Sequence, residues 1–305
     1  MRTCLASMLC ALMAVSPVMA QEARPGAITS RWHFSEDTDN FRSQRVALGY
    51  LWGSGWGVEA RTSHFSAPGW SADGKTLSGV YQSRNADTSI NARLGLDETK
   101  GDSTAVGSLD YMRNLSRETA LGLSVERDVV DSVNSINNHI RYTAGALVLD
   151  HAFTDRANVG VSAGNVWYSD GNERRQLRTR WNYELVPQSG LNAYAKTRHF
   201  RNTQPYNGYY FAPEDAAEYS AGLSWRKAVS ESAVLQLQGD AGRQFIDGEA
   251  KGLWTFLVGL QSHHRARVQW RVAFEVRNDA SSNRSVGDQD YRYMMLTGHL
   301  LFPLE

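Results

Sequence analysis

Over most of its length this chain alternates apolar and polar residues with a period of two, in segments of about ten residues. The stretch from Arg265 to Arg277 shows the pattern most plainly. Ala266, Val268, Trp270, Val272, Phe274 and Val276 fall on one face, and Arg265, Arg267, Gln269, Arg271, Glu275 and Arg277 fall on the other. Gln176 to Leu185 repeats it, with Leu177, Trp181, Tyr183 and Leu185 opposite Arg178, Arg180, Asn182 and Glu184. Successive side chains of a strand point to opposite faces of a sheet, so this period specifies strands with one apolar and one charged face. Segments with helical periodicity are essentially absent.

About sixteen such segments can be counted, beginning near Ile28, Arg42, Trp56, Lys75, Thr88, Ser103, Glu118, His139, Ala157, Gln176, Leu191, Glu218, Ala233, Gly252, Arg265 and Asp290. Strands of soluble sandwiches are usually about five or six residues long. Alternating strands of about ten residues separated by turn chemistry are the pattern of a transmembrane barrel. Lipid cannot satisfy backbone N–H and C=O groups, so a sheet survives there only when it closes on itself. The expected fold is therefore all-β: a transmembrane, antiparallel, up-and-down β-barrel of about sixteen strands.

The connections alternate as well. Short ones are expected at Gly53–Gly55, Asn85–Asp87, Ser116–Arg117, Thr154–Arg156, Pro187–Gly190, Ser230–Glu231 and His263–His264. Longer ones are expected at Ser66–Gly74, Asp128–Asn138, Arg201–Ala217 and Asn278–Gln289. In outer-membrane barrels the short turns are periplasmic, which with an even strand count puts both barrel termini on the periplasmic side. Trp52, Trp56, Trp181 and Trp225 stand near strand ends, where an aromatic girdle belongs.

Residues 1–20 have a different character. Arg2, the apolar run Leu5 to Val15 and the small-residue site Val18-Met19-Ala20 read as a secretory signal peptide, leaving 21–305 as the barrel. Cleavage would remove Cys4 and Cys10, the chain's only cysteines. Such a barrel has no disulfides, and its stability must come from the hydrogen-bonded sheet. The remaining 31 basic and 32 acidic side chains carry no net positive footprint, so nucleic acid is not an expected partner. Mean hydropathy is −0.45, which excludes a helical membrane bundle.

If the apolar faces meet lipid, the opposite faces line the interior. The expected inward cations are Arg61, Arg84, Arg93, Arg141, Arg178, Arg180, Lys196, Arg198, Arg226, Arg265, Arg267, Arg271 and Arg277. The acids on those faces are fewer: Glu59, Asp97, Asp110, Glu126, Glu184, Asp240 and Glu275. A sixteen-stranded barrel leaves room for an aqueous lumen, and a positive wall concentrates anions there. Arg178, Arg180, Lys196, Arg198, Arg226, Arg267 and Arg271 form the expected substrate track, unless these charges only pair with one another across strands. A second candidate is the long loop at 201–215, which concentrates Tyr206, Tyr209, Tyr210 and Phe211 beside amides and Glu214. Aromatic faces beside polar groups can grip sugar rings, and the same residues could instead fold inward as a gate or pack on the rim.

The loop sequence Tyr209-Tyr210-Phe211-Ala-Pro213-Glu214, followed by Tyr219-Ser-Ala-Gly-Leu223, resembles the C-terminal barrels of bacterial exopolysaccharide export porins of the poly-N-acetylglucosamine and cellulose type. The residue-level likeness is confined to Pro205–Leu223 and Gly242–Ile246. The resemblance implies passage of a carbohydrate polymer or oligomer across the outer membrane of a Gram-negative bacterium, and a role in biofilm. Those exporters carry a periplasmic array of helical repeats that this sequence does not show, so a separate periplasmic scaffold or synthase complex is an expected partner. Two further classes stay open: a passive diffusion porin for small anions, and a surface receptor or structural barrel.

Nothing in the sequence points to an enzyme, a cofactor or a metal. The eight histidines, His33, His64, His139, His151, His199, His263, His264 and His299, are scattered, and none stands in a nucleophile or zinc-ligand motif.

Overall fold

The computed structural model describes residues 26–263, 266–278 and 291–304; the expected signal peptide, Arg265 and His264 lie outside them. Sixteen strands form one closed sheet. They are β1 (Ala27–Asp37), β2 (Arg42–Leu51), β3 (Trp56–Ala67), β4 (Trp70–Arg84), β5 (Thr88–Thr99), β6 (Asp102–Asn114), β7 (Thr119–Val129) and β8 (Arg141–Ala152), then β9 (Ala157–Tyr168), β10 (Glu173–Val186), β11 (Leu191–Asn202), β12 (Asp215–Ala228), β13 (Ala233–Ile246), β14 (Glu249–Ser262), β15 (Gln269–Arg277) and β16 (Tyr293–Pro303). Each strand pairs antiparallel with its sequence neighbours, and β16 closes on β1 in a register from Ala27↔Pro303 to Asp37↔Tyr293. Closure leaves no free sheet edge around the body of the barrel, so the ladder N–H and C=O groups there are paired without help from water; only at the loop rim do β6 and β14 run past β7 and β15. One short helix, α1 (Val133–Asn137), lies in the β7–β8 connection; no helix among the described residues is long enough to cross a membrane.

The sidedness follows from the alternation. Leu48, Leu77, Leu94, Leu96 and Leu147 are each more than 60% exposed and point away from the barrel axis. Ser43, Arg45, Glu59, Asp97, Arg178 and Arg198 are buried on the inner face. A belt of exposed leucine and phenylalanine around the whole perimeter is far more apolar surface than a soluble monomer tolerates, whereas lipid accepts it at no cost. Trp32 lies in this belt across Gly298, where an added Cβ would stand 2.1 Å from the indole; glycine is what lets the ring lie flat on the neighbouring strand. Rings also crowd one end of the barrel, with Trp56 on Tyr81 (4.7 Å), Phe153 stacked on Trp181 (6.0 Å) and the Trp225 Nε1 donating to the Ser189 carbonyl (3.2 Å).

The two rims differ. Among the described residues the terminal rim, which carries Ala27 and Pro303, has only short turns, from 52–55 to 229–232. The loop rim carries the longer connections 130–140 and 203–214, but also three two-residue hairpins at 68–69, 100–101 and 247–248. Lys100-Gly101 and Asp247-Gly248 have positive φ at both positions (52° and 77°; 52° and 86°), the geometry that matches the right-handed strand twist. The segment Ser66–Gly74, expected as a loop, is instead mostly strand. β3 runs on to Ala67 and β4 begins at Trp70, because Phe65 and Ala72 are buried on the inner face against Ile136 of α1. At the other end β15 begins at Gln269 rather than Arg265. The chain is still turning there, with the Ala266 N–H donating to the His263 carbonyl (2.9 Å).

Candidate functional site in the lumen

Two loop-rim connections fold into the lumen and meet. The β7–β8 loop reaches across to β2–β4. Its Asp131 forms an ion pair with Arg45 and accepts a longer contact from Ser43 Oγ (3.5 Å), both on the inner face of β2. Ser132 caps α1 by accepting from the Ser135 N–H (3.1 Å), and Ile136, 1% exposed, fills a pocket of Phe41, Phe65 and Ala72. Trp70 Nε1 donates to Asn137 Oδ1 (2.9 Å), closing this side.

The β11–β12 loop, 203–214, folds in from the opposite wall. Tyr210 stacks on Tyr168 of β9 at 4.2 Å and 18°, and its hydroxyl sits between Asp170 (3.1 Å) and the Asn172 Nδ2 donor (3.1 Å). Burial and the neighbouring Tyr168 raise the Tyr210 phenol well above the ordinary tyrosine range. Phe211 packs on Phe200 and Ala216, while Arg174 donates to the Phe211 carbonyl (2.5 Å). Such rings are each worth about 1.5–3 kcal/mol when buried rather than exposed, which is why a Tyr-Tyr-Phe-Ala-Pro loop turns inward instead of standing in water.

The loops then bind each other. Ser132 Oγ and Ser135 Oγ both donate to the Tyr209 carbonyl (2.5 and 2.9 Å), and Asn134 Nδ2 donates to the Gly208 carbonyl (2.9 Å). A continuous bridge therefore crosses the lumen, from β2–β4 through α1 and residues 206–211 to β9–β12.

The loop residues singled out in the sequence divide by this geometry. Tyr210 and Phe211 are buried as anchors, so their faces are covered and offer no sugar platform in this state. Tyr209 is half-buried against the cluster of Val130, Ile140 and Tyr168. Tyr206, 54% exposed, and Glu214 remain open to solvent. The Tyr206 phenol is pushed up to about 12, chiefly by its hydrogen bond to Asp247.

Below the bridge the inner wall has two electrical halves. On β1–β7 the cations meet acids: Glu59 accepts from Arg31 Nε (2.8 Å) and lies 3.3 Å from Arg93 Nε, and Arg61 spans Asp128 (3.1 Å) and Asp97 (3.3 Å). On β10–β11 the register sets Arg178 directly opposite Arg198 and Arg180 opposite Lys196. Lys196 pairs with Asp240 (2.8 Å), Arg198 with Glu218 (3.1 Å), and Arg178 donates to Gln176 (2.9 Å). Arg180 donates only to neutral amides, Asn182 (2.8 Å) and Gln238 (3.3 Å), and Arg271 to Gln236 (3.5 Å); Arg226, exposed, faces Gln236 across the ladder. Among the described residues none of these three lies in an ion pair, so this wall keeps a positive field. Several of its guanidiniums lie over rings: Arg180 over Tyr194 (4.0 Å), Arg174 and Arg198 over Phe200 (4.6 Å each), and Arg277 over Tyr293 (4.9 Å).

Six of the seven expected track residues thus share the inner face. Arg267 does not: it is exposed in the terminal-rim turn 263–268, because β15 starts two residues later. The sequence reading missed Arg31, Arg45 and Arg174, and the acids Asp128, Asp131 and Glu218. Arg31, Arg45, Asp128 and Glu218 carried the right parity to be found; Asp131 belongs to a loop, whose destination parity cannot give.

No protein-family model matches this chain, and no curated protein matches it. Its shape, by contrast, has clear relatives. A solved bacterial polysaccharide outer membrane secretin superposes with a TM-score of 0.71 at 10% identity, over 93% of this chain and 100% of that one. CdiB from Acinetobacter baumannii follows at a TM-score of 0.51 and 10% identity, over 92% of this chain and 60% of that one. Pseudomonas aeruginosa OpdQ gives 0.47 at 12% identity, over 93% and 100%. At such identities the likeness is one of fold. The chain is a closed sixteen-stranded antiparallel barrel, similar in fold to that polysaccharide outer membrane secretin.

Proposed function

We propose that this protein is an outer-membrane channel for carbohydrate, with the loop rim at the cell surface, the terminal rim and both barrel termini periplasmic, and the bridge of two loops as its gate. The reading rests above all on the β10–β15 wall, where Arg180 and its neighbours combine uncompensated positive charge with aromatic faces. Aromatic faces suit the C–H surface of a sugar ring, and arginine forks suit carboxylate, sulfate or phosphate substituents. An acidic polysaccharide or oligosaccharide fits both, and the named likeness to a polysaccharide secretin supports the same class. The driving force and a periplasmic scaffold would come from separate partners.

Single-channel recording of the refolded protein in a planar bilayer tests this. Acidic oligosaccharides added to one side should produce discrete blocking events, and neutral ones fewer. A steady anion-selective current indifferent to sugars would replace the proposal with a diffusion porin for small anions.

A further inference from the structure

The outer face of the barrel carries a second arrangement of arginines that the transport reading does not use. Arg175 on β10 and Arg201 on β11 are direct register partners on the lipid-facing side. Like charges directly opposite one another in a ladder repel, and an anion lying between them relieves that repulsion. Arg243 on β13 also faces outward, opposite Tyr219. The hydrogen-bonded rows climb toward the loop rim between these strands. The row through Arg175 and Arg201 runs through Asp215 to Asp247 at the β13–β14 turn. Arg243, four residues short of that turn, therefore stands near the height of Arg175, with Arg201 slightly above both.

All three side chains are exposed. Among the described residues Arg175 and Arg243 have no ion-pair partner, and Arg201 has only the exposed Asp215 (3.4 Å). Glu173, two residues from Arg175 toward the rim, and Asp247, at the β13–β14 turn, are further acids on this face. An aromatic layer lies among them: His199 meets Tyr219 edge-on at 5.1 Å, and Tyr219 meets Phe245 at 6.2 Å. Cations and rings at the margin of an apolar belt are the chemistry of a membrane interface. From β10 to β13 is three strand spacings, about 14 Å, too far for one phosphate to bridge.

We propose that Arg175, Arg201 and Arg243 form a binding site for a bis-phosphorylated glycolipid headgroup, the chemistry of lipid A, in the leaflet at the loop rim. The inference rests on the membrane-spanning reading, with the loop rim at the cell surface, and is independent of what passes through the lumen. Each arginine donates charge-assisted hydrogen bonds to phosphate oxygens, and the rings meet the first acyl carbons.

The test is affinity of the refolded protein in detergent for lipid A, for dephosphorylated lipid A and for phosphatidylglycerol, read by native mass spectrometry beside the lipid-induced shift in Tm. Lipid A should bind most tightly. Replacing the three residues together (Arg175→Gln, Arg201→Gln, Arg243→Gln) should weaken it on the order of a hundredfold, from roughly fivefold per lost cation. The corresponding three lysine replacements should retain most of the binding, and they carry the test together with Arg243→Gln alone if the glutamine triple does not fold. Equal binding of phosphatidylglycerol or of the dephosphorylated lipid would overturn the proposal, as would undiminished lipid A binding by the glutamine variants. Single-channel current and its sugar block should be the same in all of these variants, so failure of the lipid site and failure of the channel reading are separate results.

Discussion

Asp131 and Arg45 show how much a single side chain can decide here. Both belong to a buried ion pair that ties the β7–β8 loop to the far wall. Removing one charge of such a pair leaves the other desolvated, at a cost of roughly 3 kcal/mol. Asp131→Asn should therefore unseat the loop without unfolding the barrel. The expected result is more frequent open events in single-channel records, at unchanged heat-modifiable mobility on gels. Gly222 is decisive for a different reason. A Cβ there would lie 2.0 Å from the Gly239 carbonyl oxygen, which is backbone and cannot rotate away. Gly222→Ala should separate β12 from β13 locally and cost about 1–3 kcal/mol, measurable as a lower midpoint in denaturant-dependent folding into lipid vesicles.

At the scale of elements, the bridge depends on two loops holding each other through Tyr209 and Gly208. Replacing Ser132 and Ser135 by alanine removes both donors to the Tyr209 carbonyl, at about 1 kcal/mol per hydrogen bond. The pair should raise the open probability less than deletion of 206–211, which also takes away Tyr210 and its stack on Tyr168. Deletion should raise unitary conductance outright; unchanged conductance would mean that the constriction lies elsewhere in the lumen. The same scale explains what the sequence reading misplaced. Polar composition suggested a loop at Ser66–Gly74, where β3 and β4 in fact run on, and period-two alternation suggested a strand from Arg265, whereas β15 begins at Gln269. Strand β3 extends because α1 covers Phe65, a contact between segments about seventy residues apart that no local pattern records.

For the whole molecule, the consequence of the unequal halves is selectivity. Acids neutralise the β1–β7 wall, whereas Arg180, Arg226 and Arg271 are held by neutral groups or none, so anions should be favoured in the lumen. Changing these three to glutamine should abolish or reverse the anion preference seen in reversal potentials across a salt gradient. Changing Lys196 or Arg198, whose charges Asp240 and Glu218 already balance, should matter much less for selectivity and more for stability. High ionic strength should blunt the difference, because the Debye length falls to about 3 Å at 1 M salt.

The alternation in the sequence determined the barrel itself. The number of strands, their antiparallel order, the lipid-facing and inward faces and the parity of most lumenal charges all follow from a period of two repeated sixteen times, because a strand has only two faces and lipid admits only a closed sheet. Tertiary structure alone decided what the inward charges meet and where the loops go. Arg198 and Arg180 look alike in the sequence, and only the closed register gives one a carboxylate and the other an amide. Tyr206 and Tyr210 lie four residues apart in one loop, yet one is open to solvent and the other anchors the bridge. That difference was set by Tyr168 at the end of β9 and Asp170 in the turn that follows it, and a loop has no periodicity from which to read its partners.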